Sequence, residues 1–450
     1  MARFENKKMK RFFDPLTGAD TYEMERGSVE YDLSGLRFLH TGVDTIRQLY
    51  NCTLKPEVLQ QIASHYDTKT TDVIEIAGIE WKLSSSGKKS GYQYILKNLD
   101  IGMVVLLKSF YKEADQQGPH MKIEVTPQLI DELGLEQLTN RLREVGRTFG
   151  DTLEASGMAV HLCVDMKGLV LPEDFESMLA TRSKRNLKVN AISNAHFEVA
   201  EASFVYGRGQ TYLFGNSSSL QMCLYNKSEE AVKSDKLDFC ESQWRATPSL
   251  DDPFTPEYKD GRDGGEVDTV HRLEFRVHHS VLKEFENGNY NRSAKYNEKG
   301  EMIEPGKLIC IREPRDLKPH LQALWDYCLN NFRLHHSSTY IHPIWQKLME
   351  DVSWFNVHPT FIYARDQKKS AGVAGRRNVA MWLGNHLRLA ARKGFTTKHV
   401  VQHLLSSGLE SDLADYFGLL YYGHGSELFL CLTDFVDKRL RDHRLNGVAV

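Results

Sequence analysis

The sequence has no paired cysteine motif and no long apolar run. Its seven cysteines are scattered over 450 residues, form no CxxC and leave one over if paired, which is typical of reduced thiols rather than of a disulfide framework. No apolar stretch approaches the roughly 20 residues that a membrane span needs, and the basic N-terminal segment lacks an apolar core. These absences predict a cytoplasmic protein with no membrane partner.

A strong net charge and a phosphate-loop motif are also missing. The formal net charge is -3, so any binding of nucleic acid must come from local patches rather than from overall basicity. The GKKS stretch that begins at Gly87 lacks the upstream glycine of GxxxxGKS/T, so no phosphate-loop ATPase is recognisable. With 41% hydrophobic and 26% charged residues, the chain has an ordinary globular composition and is long enough for two or three domains.

The hydrophobic pattern predicts an α+β fold with a mainly antiparallel sheet flanked by helices, followed by a C-terminal helical region. Alternating residues predict strands in MKIEV, AVHLCVD, LQMCLYNK and HRLEFRVHH, and a helical period follows the first of these strands. We predict an N-terminal α+β region at 1–110, a catalytic sheet domain at 111–313 with a surface loop at 247–268, and a helical region at 314–450.

The segment LSGLRFLHTGVDTIRQLYNC predicts a short strand, a turn and then a helix. Asp44 or Thr45 would cap this helix at its N-terminus. The apolar side of the helix would comprise Ile46, Leu49 and Tyr50, which follow helical spacing.

Each of the four predicted strands is apolar on one face and carries chemically capable side chains on the other. Successive side chains of a strand point to opposite faces, so residues two apart share a face. The polar faces defined in this way carry Lys122 and Glu124; His161, Cys163 and Asp165; Gln221, Cys223, Tyr225 and Lys227; and Arg272, Glu274, Arg276 and His278.

This combination fits a metal-assisted phosphoryl transfer with a covalent tyrosine step. A tyrosine phenol has a pKa of about 10, so near neutral pH it needs a base, a cation or a metal to become a nucleophile. Carboxylates with an imidazole suit Mg²⁺ or Mn²⁺, and a lysine could stabilise the phenolate or the pentavalent phosphorane. Antiparallel sheets commonly have one solvated face, which is the better explanation of any single one of these residues, so only their combination favours chemistry. The candidates are Tyr225, Lys227 and His161 as catalytic groups, and Asp165, Glu274 and Glu124 as metal ligands.

The segment TYLFGNSSSLQMCLYNKSEE resembles the YFG...IRIYNK..E signature of the replication initiation factor family, often labelled Rep_trans. This family comprises rolling-circle plasmid initiators and related conjugative relaxases. Four further segments resemble the family in the same order, namely LHTGVDTI, MKIEVTPQLI, MAVHLCVD and HRLEFRV. Together the five segments span roughly Leu39 to Lys283.

The resemblance implies site-specific DNA nicking and rejoining in a bacterial cytoplasm, at the start of rolling-circle replication or conjugative transfer of a mobile element. Tyr225 would attack a DNA phosphate and keep the 5′ end as a phosphotyrosine ester, with Asp165 and Glu274 associated with the metal. His161 stands where the family has an aspartate and is left open as ligand or general base, while Cys223 replaces an arginine of the family. The implied partners are origin DNA, single-stranded or supercoiled, and a host helicase; a homodimer is left open.

Basic clusters offer candidate contacts to DNA phosphates. The candidates are Arg182, Lys184, Arg185 and Lys188, the hairpin residues Lys88 and Lys89, and Arg376 and Arg377 with the neighbouring Lys368 and Lys369. Each cluster alone is also typical of a solvated face. In the C-terminal region, two helices joined by a turn at Gly408 could form a helix-turn-helix reader or plain helical packing.

Two alternatives to this interpretation stay open. The nucleophile could be Tyr421 or Tyr422 in LLYYGHGSE, although that pair follows an apolar run and has no carboxylate-bearing strand nearby. Alternatively, the protein could be a non-catalytic, sequence-specific DNA-binding replication or regulatory protein in which Tyr225 is a sheet aromatic. A covalent protein–DNA adduct would separate the enzyme from the binding protein.

Overall fold

The chain divides into two compact units, Met1–Asp366 and Gln367–Val450. The computed structural model describes residues 7–25, 27, 29–68, 72–86, 90–181, 212–262, 264–297, 302–306, 309–354, 371–419 and 426–445. The unit boundary lies later than the boundary predicted at 314. The predicted boundary at 110 separates two neighbouring strands of one sheet, so it is not a division between compact units.

The first unit is built around one large antiparallel sheet. Three short strands form a small N-terminal sheet: β1 (Lys10–Phe13), β2 (Asp20–Glu23) and β3 (Glu30–Asp32). Within the described residues the large sheet has ten strands: β4 (Arg37–Leu54), β5 (Val73–Ile76), β6 (Ile79–Ser85), β7 (Tyr92–Asn98), β8 (Met103–Ser109), β9 (Gly118–Val125), β10 (Gly150–Lys167), β12 (Tyr212–Gly215), β13 (Leu220–Asn226) and β14 (Val270–Val277). Two small pairs are β11 (Leu179–Thr181) with β17 (Phe332–Leu334), and β15 (Lys295–Tyr296) with β16 (Met302–Glu304).

Neighbouring strands of the large sheet follow the order β12-β13-β14-β10-β4-β9-β8-β7-β6-β5. The helices of the first unit are α1 (Pro56–Thr68), α2 (Pro127–Phe149), α3 (Phe175–Met178), α4 (Lys227–Lys233), α5 (Leu237–Trp244), α6 (His279–Ser293), α7 (Leu321–Asn331) and α8 (Pro343–Asp351). Helix α2 begins where the sequence predicts it, because the Thr126 hydroxyl accepts the backbone N–H of Leu129 and Pro127 occupies the first turn. The predicted α+β fold with a large antiparallel sheet is confirmed.

Strand β4 replaces the predicted strand, turn and helix at 37–54. Its 18 residues pair with β10 on one side and β9 on the other. The buried positions in its second half alternate strictly: Ile46, Gln48, Tyr50, Cys52 and Leu54. The helical prediction was wrong because the spacing of Ile46, Leu49 and Tyr50 also suits a helix, whereas pairing with two neighbouring strands imposes the two-residue period. Asp44 is therefore a strand residue and not a helix cap.

The two faces of the large sheet pack against different elements. On the apolar face, the ring of Phe275 in β14 lies 5.2 Å from that of Trp325 in α7, within a core that also includes α8. One end of the opposite face is covered by α4, α5 and the loop before β14, where the rings of Trp244 and Tyr258 are 5.0 Å apart. The polar side chains of the predicted site lie on the rest of this second face.

The second unit is helical, as predicted for the C-terminal region. Its described helices are α9 (Ala371–Arg392), α10 (Thr397–Leu405), α11 (Glu410–Phe417) and α12 (Ser426–Leu445). They share a core of their own that includes Leu387, Leu404 and Leu432. The predicted helix, turn at Gly408 and second helix correspond to α10 and α11, and their role in DNA reading stays a prediction. Among the described residues of the whole chain, no helix combines the length and hydrophobicity required to cross a bilayer.

Candidate functional site

The register of three neighbouring strands aligns the predicted polar faces. Strand β14 lies between β13 and β10. Three rows of paired residues cross these strands: Tyr225, Arg272 and Asp165; Cys223, Glu274 and Cys163; and Gln221, Arg276 and His161. Because paired residues point to the same side of an antiparallel sheet, these side chains form one continuous surface.

Glu274 lies in the middle row and contacts three groups. The Tyr225 hydroxyl donates to Glu274 Oε2 at 3.2 Å, and Nδ1 of His161 lies 2.8 Å from Glu274 Oε1. Nε of Arg276 donates to the same Oε1 at 2.9 Å. Glu274 and His161 are buried, whereas Tyr225 is partly exposed. The structure thus brings together the predicted nucleophile, one predicted metal ligand and the predicted imidazole.

Burial and neighbouring charges set the protonation states of these three groups. Burial, together with the charge of Glu274, raises the pKa of Tyr225 well above its ordinary value of 10. Burial also lowers the pKa of His161 below 6.5, despite the contact with Glu274. Although burial would raise the pKa of Glu274, the charge of Arg276 and the contact with His161 hold it well below 4.5. At neutral pH the site therefore holds a phenol, a neutral imidazole and a carboxylate.

Asp44 completes a set of side chains that could hold a divalent cation. One ligand atom from each of Asp44, His161 and Glu274 lies within 4.8 Å of the others. We call these three residues the cation-ready set. Carboxylate oxygens suit Mg²⁺ and Mn²⁺, and a neutral imidazole nitrogen is a common ligand of transition metals, so the set offers ligands to a divalent cation. The register of β4 against β10 shifts between His161 and Leu162, and this bulge places Asp44 beside His161. Sequence reasoning missed Asp44 because it assigned the residue to a helix start.

Asp165 lies on the same face but belongs to a different network. Nε and Nη2 of Arg272 donate to its two oxygens at 2.6 and 2.7 Å, and the Trp244 indole donates at 2.7 Å. Although burial opposes ionisation, the charge of Arg272 holds the pKa of Asp165 below 3.8. Both oxygens of Asp165 thus accept hydrogen bonds, from a bidentate arginine and an indole. Asp165 is not one of the three residues whose ligand atoms lie together, and its role as a metal ligand stays a prediction.

Glu124 and Lys227, also predicted for the site, lie outside the cation-ready set. Glu124 in β9 accepts Nε of Arg47 at 2.9 Å, and its side chain is 31% exposed. Strand β13 ends at Asn226, whose side chain caps α4, so Lys227 starts a helix instead of continuing the strand face of Tyr225. The ammonium group of Lys227 pairs with Glu230. The prediction that Lys227 lies on the strand face of Tyr225 is therefore wrong.

Two arginines flank Glu274 on β14 and were given no role by sequence reasoning. Arg272 bridges Asp165 and Asp44, and Arg276 joins Glu274 to Gln221, whose Oε1 lies 3.4 Å from Nη1. Their positions two residues before and after Glu274 on one strand face are the signal that could have identified them. Guanidinium groups in this arrangement suit the binding of a phosphate.

Most of the predicted DNA contacts and the alternative tyrosines cannot be placed. Outside the described residues lie Lys88, Lys89, Arg182, Lys184, Arg185, Lys188, Lys368, Lys369, Tyr421 and Tyr422. Arg376 and Arg377 belong to α9, at positions where the described part of the chain does not include the side chains. Their contacts with DNA stay predictions.

Fold and site together define an α+β protein whose antiparallel sheet carries a tyrosine, carboxylate and imidazole cluster. No protein-family model matches the chain. The chain is 35% identical over 398 residues to "Uncharacterized protein ORF430" of Pseudomonas phage Pf1, and the match covers 87% of this chain and 84% of that protein. The chain belongs to the family of this phage protein. Its resemblance to the replication initiation factor family stays a proposal.

Proposed function

We propose that the protein is a metal-dependent DNA nickase and strand transferase that uses Tyr225 to form a 5′-phosphotyrosine intermediate. The observation that carries this proposal is the hydrogen bond from Tyr225 to Glu274, a member of the cation-ready set with His161 and Asp44. The reaction would initiate rolling-circle replication or transfer of a mobile element. A relative that belongs to a phage supports a replicon of this kind.

The protonation states explain why this site would need a cation. The phenol of Tyr225 has a raised pKa and the carboxylate of Glu274 a lowered one, so transfer of the proton between them is unfavourable on its own. A divalent cation held by Asp44, His161 and Glu274 would supply positive charge that favours the phenolate and offsets the charge of the phosphate. The donor set fits such an ion, since it combines two carboxylates with an imidazole kept neutral by burial.

The proposed reaction exchanges one phosphate ester for another. The Tyr225 oxygen forms a bond to phosphorus as the bond between phosphorus and the 3′ oxygen breaks. The phenolic proton passes to Glu274 Oε2, which accepts the hydrogen bond of the Tyr225 hydroxyl in the structure. The leaving 3′ oxygen takes a proton from water and becomes a hydroxyl, and Glu274 returns its proton to water. Rejoining is the reverse attack by a 3′ hydroxyl, which releases the tyrosine.

The two flanking arginines would have different roles during this exchange. Arg276 keeps part of its side chain exposed, at 17%, and already bonds the carboxylate beside Tyr225. Arg272 is more deeply buried and fixes Asp44 and Asp165. We therefore assign direct phosphate contact to Arg276 and a positioning role to Arg272.

The covalent intermediate provides the test. The full-length protein is incubated with single-stranded or supercoiled DNA of its own replicon and Mn²⁺ or Mg²⁺, and the products are separated on a denaturing gel. We expect a protein–DNA adduct that survives detergent and is lost in Tyr225→Phe. The matched control is Tyr212→Phe, a tyrosine of the neighbouring strand β12 that contacts the ring of Phe175, and it should retain the adduct. DNA binding without any adduct in the unaltered protein would instead favour the non-catalytic DNA-binding protein.

A further inference from the structure

A cavity of about 260 Å³ opens beside the cation-ready set. Gly42 of β4 and Cys163 of β10, which are paired on the polar face of the sheet, form its floor. Neither residue has a large side chain, so a depression remains between the neighbouring side chains of that face. Asp44 and Arg272, which belong to the proposed site, both line this depression.

The walls of the cavity come from two helices. The first turns of α2 contribute Pro127 and Ile130, and α5 contributes Phe239. At the rim, the Gln243 side chain of α5 donates to Asp131 Oδ2 of α2 at 3.0 Å. The cavity thus has apolar walls and a polar rim, which is the arrangement of sites that bind flat organic rings.

His40 adds a further hydrogen-bonding group to the cavity. An added Cβ at Gly42 would lie 2.5 Å from His40 Nε2, so the imidazole lies over the glycine and needs its missing side chain. Burial lowers the pKa of His40, which keeps the ring neutral at pH 7 with one donor and one acceptor nitrogen. Together with Asp131 and Gln243, the cavity presents both donors and acceptors, as the edge of a nucleobase requires.

We propose that this cavity binds the nucleobase of a nucleotide next to the phosphate that Tyr225 attacks. This inference rests on the proposed nicking function. Arg272 lines the cavity and pairs in register with Tyr225 on the neighbouring strand. The floor at Cys163 lies on β10, two strands or roughly 10 Å from β13, so a base held here would direct its sugar and phosphate towards the tyrosine. The volume lies just below the roughly 300–1,000 Å³ of sites for drug-sized ligands, which suits a single base.

The position of the cavity between two helices also favours single-stranded over duplex DNA. A base in a duplex is stacked and paired, and it can enter a cavity walled by two helices only after leaving the stack. The cavity therefore favours single-stranded or melted DNA, in which the base is free to rotate. Specificity for the base would come from the groups at the rim and from His40.

Gln243 offers a substitution that closes the cavity without disturbing the core. The residue is only partly buried, and the one described hydrogen bond of its side chain is to Asp131. Gln243→Trp therefore places a large ring in the mouth of the cavity. The matched control is Ser242→Trp, because Ser242 is the preceding residue of α5, is exposed and does not line the cavity. Circular dichroism and thermal unfolding confirm that each full-length variant is folded.

The test compares the binding of a short fluorescent single strand with that of its abasic counterpart, in EDTA so that no cleavage occurs. We expect the unaltered protein to bind the base-containing strand about tenfold more tightly. Gln243→Trp should lose most of this ratio, and Ser242→Trp should keep it. An undiminished ratio in Gln243→Trp, or the same loss in both variants, would overturn the inference.

Failure of this inference is distinguishable from failure of the nicking proposal. If no DNA forms an adduct but the binding ratio depends on Gln243, the base site stands without the nickase. If the adduct forms and the ratio does not depend on Gln243, the nickase stands and the cavity is not the base site. Where both hold, a scan of single abasic positions along the cleaved strand should weaken binding most at one nucleotide adjoining the nick.

Discussion

Two buried carboxylates on neighbouring strands of one sheet face have different surroundings. Asp165 is 0% exposed and Glu274 is 2% exposed, so burial does not distinguish them. The oxygens of Asp165 are taken by the fixed donors of Arg272 and Trp244. Glu274 instead contacts a partly exposed phenol and a neutral imidazole as well as an arginine. The two carboxylates therefore differ in their partners and not in their depth, and the proposal that Glu274 takes part in chemistry rests on those partners.

The substitution Glu274→Gln tests whether Glu274 has a chemical role that Asp165 lacks. The amide keeps the shape of the side chain but removes the negative charge that binds the cation and accepts the phenolic proton. We expect adduct formation to fall by about 10³-fold in a single-turnover assay with Mn²⁺. DNA affinity should change little, as measured by fluorescence anisotropy in EDTA. Adduct formation at the unaltered rate would show that Glu274 is as structural as Asp165.

The substitution Asp165→Asn should act on stability. It leaves Arg272 buried with only part of its charge compensated by Asp44, and breaking a buried ion pair in this way costs about 3–5 kcal/mol. The measurement is urea unfolding followed by tryptophan fluorescence, since five of the six tryptophans lie in Met1–Asp366. A loss below about 1 kcal/mol would mean that the network around Arg272 contributes no more than a surface pair.

The pH dependence of unfolding tests whether the charge of Asp165 causes the stability difference between the unaltered protein and Asp165→Asn. The pKa of Asp165 is lowered in the folded protein, so its ionised form stabilises the fold at pH values above its ordinary value of 3.8. This contribution is lost as the pH falls through the lower pKa of the folded state. We therefore expect the gap in unfolding free energy between the unaltered protein and Asp165→Asn to be constant from pH 7 to about 5 and to narrow below about 4. If the difference in unfolding free energy instead widens in acid, the charge of Asp165 is not its cause.

A smaller effect is expected on cation binding. Asp44→Asn removes one carboxylate of the cation-ready set, so Mn²⁺ affinity measured by calorimetry without DNA should fall by roughly 10–100-fold. The control is Glu124→Gln, which alters a carboxylate of the same polar face that pairs with Arg47 outside the set. It should leave Mn²⁺ affinity unchanged and alter stability by less than about 1 kcal/mol. Equal losses in both variants would indicate general surface charge rather than a site.

Much of the polar face could be predicted from the sequence. Strict alternation of apolar and polar residues is a reliable sign of a strand with one buried face, so the faces of β10, β13 and β14 were assigned correctly within those strands. The exceptions are Lys227 and His278, which lie just beyond the ends of β13 and β14. Alternation does not reveal which strands are neighbours. That His161 and Tyr225 both meet Glu274 depends on a register between strands far apart in the chain, which only tertiary packing decides.

The misassigned residues lie where regular structure is interrupted. Asp44 is next to a bulge of β4, and Lys227 follows the last residue of β13. At both points the local pattern was compatible with another element, a helix start for Asp44 and a longer strand for Lys227. Asp165 was placed on the correct face, but no sequence pattern shows that Trp244 and Arg272 contact its oxygens.

The position of β14 in the sheet affects how the protein folds during its synthesis. Among the described strands of the large sheet it is the last to be synthesised, yet it lies between β13 and β10. Until Val277 has left the ribosome, these two strands each expose an unpaired edge beside an apolar face, a state that invites aggregation. The nascent first unit is therefore expected to close late and slowly, and to need protection by chaperones until it does.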